Sequence, residues 1–154
     1  CIRDRTHTMK LMKRLSMFAL VGILGLSTFS CLNNDDSDYM NYGFLATTAI
    51  NVHEDSIQPV GKTTNIRVTY EKTNSCQNFI QFSSLQGSTT FKHNIGVYAS
   101  QSNGNCTQNT SYETKTLKFT PKEAGEYTLR FWTGNKPNST EPIYVSIVLN
   151  IKEK

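Results

Sequence analysis

No stretch of the 154 residues carries a catalytic signature. There is no Gly-x-Ser-x-Gly elbow, no cysteine-protease motif and no glycine-rich phosphate loop, so nucleophilic hydrolysis and phosphate chemistry have no local support. The three histidines lie far apart, without His-x-His or Glu-x-x-His spacing for a metal. Carboxylate pairs for glycoside hydrolysis cannot be assigned from spacing either. Basic runs are also missing. The formal charge is +4, but Arg3, Arg5, Lys10, Lys13 and Arg14 against Asp4 account for all of it, leaving eleven basic and eleven acidic residues from Cys31 onward. Nucleic-acid binding therefore lacks its electrostatic footprint. The longest apolar run, Leu15 to Leu26, falls short of the ~20 residues that span a bilayer. Beyond residue 43 no long helical periodicity occurs, which excludes an α or α/β domain.

What is present begins at Met9, where translation is expected to start. Lys10, Lys13 and Arg14 form a basic head, Leu15 to Leu26 an apolar centre, and Ser30 a small residue before Cys31. This reads as a secretion signal over residues 1–30. It resembles a bacterial lipoprotein signal, in which the cysteine becomes an acylated N-terminus; several acyl chains at ~0.8 kcal/mol per buried methylene make a durable anchor. Thr28 and Phe29 depart from the usual Leu and small residue of such signals, and Thr28 with Ser30 also satisfies ordinary signal cleavage. Asn33 to Asp38 is acidic and nearly free of apolar side chains, as a solvated tether over residues 31–42 requires. It is similar to the export signal of surface lipoproteins in Bacteroidota. These resemblances imply an outer-membrane lipoprotein facing the periplasm or the cell surface, with the membrane as a partner through its lipid.

Residues 43–154 have the size of one domain with a real core. Cys76 and Cys106 remain as a single pair in an oxidising compartment, and a disulfide is the expected outcome. Alternation predicts seven strands. Phe44, Ala46, Ile50 and Val52 mark one face of the first, and Ile66, Val68 and Tyr70 of the second. The third covers Phe79 to Leu85 with an ambiguous inward face; the fourth points in through Phe91, Ile95, Val97 and Ala99, with Gly96 as a possible bulge. Leu117 and Phe119 mark the fifth, Tyr127, Leu129 and Phe131 the sixth, and Ile143 through Ile151 the seventh. Seven short strands at this spacing imply an all-β, two-sheet sandwich. With antiparallel succession, Cys76 and Cys106 fall at the same pole, as a bond with Cα atoms ~6 Å apart needs.

Glu123, Gly125 and Tyr127, opening a strand, resemble the tyrosine corner of immunoglobulin-like domains. Leu129 stands where antibody-type domains have a cysteine, so the resemblance implies a general immunoglobulin-like sandwich without their inter-sheet disulfide. SCQNFIQF, a later NC and GEYTLRFWTG are similar to an uncharacterised family of small Bacteroidota lipoproteins over residues 64 to 134; no activity follows from it.

His53, Glu54 and Asp55 read as a solvated turn and His93 as a structural histidine. Asp55-Ser56-Ile57 resembles a Bacteroidota O-glycosylation acceptor, with Ser56 as the modified residue. Pairing the last two strands so that Phe131 meets Val145 sets every inward residue opposite another and places Trp132, the one tryptophan, opposite Tyr144 on the outer face. That pair is either a stacking site for a glycan or protein ligand, or hairpin packing. The expected function is a non-enzymatic binding or accessory module without cofactor. The alternatives are a small envelope enzyme or inhibitor and a structural subunit of an envelope complex.

Overall fold

Period-two alternation buries one face of each strand, and the strands resolve into two packed sheets. The computed structural model describes residues 40–154; the signal, the acylation position Cys31 and the tether as far as residue 39 lie outside the described residues. Eight strands follow in order: β1 (Asn41–Leu45), β2 (Thr47–Asn51), β3 (Thr64–Lys72), β4 (Gln77–Ser84), β5 (Lys92–Gln101), β6 (Ser111–Phe119), β7 (Gly125–Asn135) and β8 (Pro142–Ile151). The smaller sheet is β2-β3-β6, and the larger contains β1, β4, β5, β7 and β8. The chain is therefore an all-β two-sheet sandwich.

The core is supplied by Leu45, Ile66, Val68, Tyr70, Ile95, Val97, Ala99, Tyr127, Leu129, Phe131, Leu149 and Ile151, so the described unit closes its own interior. The inward residues expected on β3 and β7 are all buried. The β7–β8 register also follows the alternation, with Tyr127 opposite Leu149, Leu129 opposite Ile147, Phe131 opposite Val145 and Trp132 opposite Tyr144.

The first strand differs from its expected form. Residues 44–52 are not one strand: β1 pairs with β5 in the larger sheet, and after Ala46 the chain crosses so that β2 pairs with β3 in the smaller one. Crossing resets the phase. Leu45 and Thr47 are buried, while Phe44 turns to the outer face. Two residues assigned to the tether, Asn41 and Tyr42, are ladder residues opposite Gln101 and Ser100. In β4 a bulge between Phe79 and Gln81 resolves the ambiguity, because Phe79 and Phe82 both reach the core and Ile80 is exposed. Gly96 is no bulge; its register is continuous. Phe91 stays partly exposed ahead of β5, its ring 5.0 Å from that of Tyr127.

β5 organises the larger sheet. Its C-terminal half lies between β4 and β1, both antiparallel, while Lys92–Ile95 pairs in parallel with Thr128–Phe131 of β7. This parallel pair departs from a wholly antiparallel plan. The tyrosine corner is present, with the Tyr127 hydroxyl donating to the Glu123 carbonyl oxygen at 2.8 Å. Cys76 and Cys106 are bonded with Cα atoms 5.4 Å apart. Cys76 lies on the crossover from β3 to β4 and Cys106 on that from β5 to β6, so one bond joins two inter-sheet connections at a single pole. Backbone bonds support it: Ser75 donates to the Thr107 carbonyl at 3.0 Å and Ser102 to the Cys76 carbonyl at 3.2 Å.

Candidate functional site: an aromatic cleft on the larger sheet

The outer face of the larger sheet carries aromatic side chains at successive outward positions of three strands. Tyr42 and Phe44 come from β1, Tyr98 from β5 and Trp132 from β7. The rings form a chain: Tyr42 stacks with Tyr98 at 6.0 Å between centroids, Tyr98 meets Phe44 at 5.5 Å, and Phe44 meets Trp132 edge-on at 6.3 Å. Glycine at 96 makes this possible, because a Cβ there would lie 2.6 Å from Cδ1 of Phe44. The Phe44 ring occupies the space where a side chain would stand.

Trp132 and Tyr144 are cross-strand partners, and both are half-buried. Tyr144 instead receives the Arg130 guanidinium, whose Cζ lies 4.3 Å from the ring centroid. The indole N–H donates to Oδ1 of Asn135 at 3.1 Å, which fixes the orientation of both groups. That bond leaves the Asn135 Nδ2 group without a partner among the described residues, and the exposed side-chain amide of Gln86 has none either. Phe44, Leu85, Trp132, Pro142 and Tyr144, with these two amides, line a cleft of about 440 Å³. That volume lies within the range of small-molecule sites. Its walls are apolar and its hydrogen-bonding groups are neutral, so the cleft can stack a ring and bond hydroxyls.

Sequence reasoning located Trp132 and Tyr144 but missed Phe44, Tyr98 and Gln86. Tyr98, between inward Val97 and Ala99, was visible as an outward residue next to a glycine gap at 96. Phe44 was hidden by the sheet crossing, and Gln86 reaches the cleft only through the turn after β4.

The other candidates are dispersed. His53, Glu54 and Asp55 are exposed around a 3-10 turn over Glu54–Ser56. Ser56 is exposed there too, its hydroxyl donating to the His53 carbonyl at 2.6 Å. His93 bonds the Thr90 carbonyl at 2.9 Å and packs edge-on against Phe119. The most perturbed titratable group is Tyr70, whose phenol is held well above its usual range by burial and by its 2.8 Å bond to Glu113. Glu113, bonded also by Lys72 at 3.1 Å, is held below its usual range. This cluster joins β3 to β6, away from the cleft. A larger cavity, about 630 Å³, lies beside β8, lined by Ile57, Pro59, Val148 and Lys152 among others, with no aromatic side chain.

Compared with known proteins, the chain matches no family model, no curated protein and no solved structure.

Proposed function

We propose that the chain is a non-enzymatic binding module of the cell envelope, anchored by a lipid on Cys31, that captures a glycan in the aromatic cleft of its larger sheet. The ligand reading rests on one observation, the open cleft in which Phe44, Trp132 and Tyr144 stand beside the Asn135 Nδ2 group and the Gln86 side-chain amide, neither of them bonded among the described residues. A sugar ring offers the matching surfaces, C–H faces for the aromatic rings and hydroxyls for the amides. Aromatic and amide groups do not exchange protons near neutral pH, which favours binding over catalysis. The anchor rests on the sequence from Lys10 to Cys31, and outer-membrane placement rests on the acidic stretch after it. Ser56, exposed at a turn, is the proposed glycan acceptor.

Two measurements test the reading. Labelled fatty acid should enter the wild-type protein and not Cys31→Ala; equal labelling would remove the anchor. The unit from Asp38 to Lys154, probed on an array of envelope and host glycans, should retain a subset, and free sugar should compete and alter tryptophan fluorescence. Retention of none, with a protein captured through the same cleft, would replace the glycan by a protein ligand.

A further inference from the structure

The described residues include eleven lysines and arginines, of which nine are exposed and two, Lys72 and Arg130, are half-buried. A cationic group drawn out of water needs an anion or a set of acceptors to offset its lost hydration. Lys72 has one, the Glu113 carboxylate at 3.1 Å. Arg130 has none: among the described residues the ion pairs are Lys72 with Glu113 and Lys136 with Glu141. Both cross-strand neighbours of Arg130, Asn94 on β5 and Ser146 on β8, are neutral. Neither β5 nor β8 contains an acidic residue, and the one acid of β7, Glu126, stands four positions back, about 13 Å along the strand.

The Arg130 side chain is nevertheless held in place. Its Cζ lies over the Tyr144 ring, 4.3 Å from the centroid. Contact with an aromatic face uses the flat side of a guanidinium and leaves the fork of N–H groups in its own plane unspent. Among the described residues no carboxylate takes a hydrogen bond from that fork. Tyr144 is a wall of the aromatic cleft, so the cation stands one ring outside the lining of a site whose own polar groups carry no charge.

We propose that the glycan captured in the cleft is an acidic one, and that Arg130 is its specificity-determining residue, donating paired hydrogen bonds to a sugar carboxylate that projects past Tyr144. The inference rests on the glycan reading of the cleft and names the class of sugar. A guanidinium presents two parallel N–H bonds in the geometry of the two oxygens of a carboxylate, so the planar acid group of a uronic or sialic acid matches it. Holding Arg130 on Tyr144 before a ligand arrives reduces the ordering cost of that recognition. The parts of the site then have separate tasks. Phe44 and Trp132 meet the C–H face of any pyranose, whereas Arg130 tells an acidic sugar from a neutral one. The field of the domain has the same sign: from residue 39 onward eleven lysines and arginines stand against eight acidic residues, which draws anions toward it. The aspartates that balance this charge, Asp35, Asp36 and Asp38, belong to the tether.

Titration of the Asp38–Lys154 unit with uronate and sialylated oligosaccharides, each beside its methyl ester, tests the assignment, because the ester keeps the shape and removes the charge. Wild type should prefer the acid over the ester by roughly tenfold or more, as hydrogen bonds to charged groups do. Added salt should narrow that gap. Arg130→Gln should bind acid and ester alike, near the wild-type affinity for the ester, and Arg130→Lys, which keeps the charge without the fork, should fall between. An arginine that only props Tyr144 would on substitution weaken both ligands equally, and that result would overturn the proposal. Equal binding of acid and ester by wild type, or binding of sulfated sugars alone, would overturn it too. In each of these cases a glycan is still retained and the reading of the cleft stands; retention of no glycan, acidic or neutral, would remove both.

Discussion

Phe44 lies over Gly96 so closely that one added methyl group at 96 would overlap its ring, with 2.6 Å between the new Cβ and Cδ1. Gly96→Ala should therefore swing Phe44 away from Trp132 and open the cleft floor. Phe44 is already 40% exposed and free to move outward, so the stability cost should be near 1 kcal/mol, at the low end for overpacking. Ligand retention should fall far more than the melting temperature does. A variant that binds normally would show that Phe44 has no part in the cleft.

Removing the cleft's aromatic groups should separate binding from folding in a graded way. Tyr144→Ala loses the Arg130 contact, worth roughly 0.5–1 kcal/mol at an exposed site, and should abolish glycan capture. Trp132→Ala should abolish capture as well, with a larger stability loss of about 1–2 kcal/mol because the indole is half-buried and packs on Phe44. Titration of each variant with retained glycan, alongside thermal melts, checks both. Capture that survives either change would sink the site.

The Cys76–Cys106 bond closes a sequence separation of 30 residues. Chain entropy assigns such a loop roughly 3.6 kcal/mol, and removing a native disulfide from a small secreted domain costs about 2–5 kcal/mol. Cys76→Ser should lower stability by that amount in urea titration, and native protein should weigh two protons less than its reduced form. Free thiols in protein taken from its own envelope would contradict the pairing.

Glu113 and Tyr70 give the fold opposite pH limits. Bonds from Tyr70 and Lys72 hold the carboxyl low, so its contribution is present above the unfolded value of roughly 4.3 and fades as pH falls through the lower folded value. Burial and the neighbouring carboxylate hold the Tyr70 phenol high, so its contribution is complete below about pH 10 and fades as pH rises further. Melting curves between pH 2 and 5 should fall more steeply for wild type than for Glu113→Gln. Parallel curves would remove Glu113 from the linkage.

Legibility in the sequence followed locality. β3, β8 and β7 as far as Trp132 alternate without interruption, the β7–β8 register shifting only between Trp132 and Gly134, so their inward residues and the Trp132–Tyr144 pairing could be read directly. The disulfide was also legible, because strand polarity alone brings the start of β4 and the end of β5 to one pole. The remaining features depend on contacts distant in the chain. The crossing at Ala46 shifts phase inside what looks like continuous alternation, and the Ile80 bulge spoils the period of β4. The parallel pairing of β5 with β7 leaves no local mark at all. The cleft was half legible for the same reason. Its hairpin residues follow from register, whereas Phe44 depends on the crossing and Gln86 on a turn.

The arrangement of the chain ends has a mechanical consequence. Asn41 opens β1 at the disulfide pole, opposite Gln101, and Ile151 closes β8 at the other pole, opposite Gly125. Tension between the two ends therefore runs along the strands and loads the ladder bonds of β1 and β8 together, in shear, instead of peeling them singly. The covalent link between the crossovers prevents the pulled pole from splaying. Resistance to forced unfolding is a matter of unfolding rate and not of equilibrium stability, and strands loaded end to end favour a slow rate.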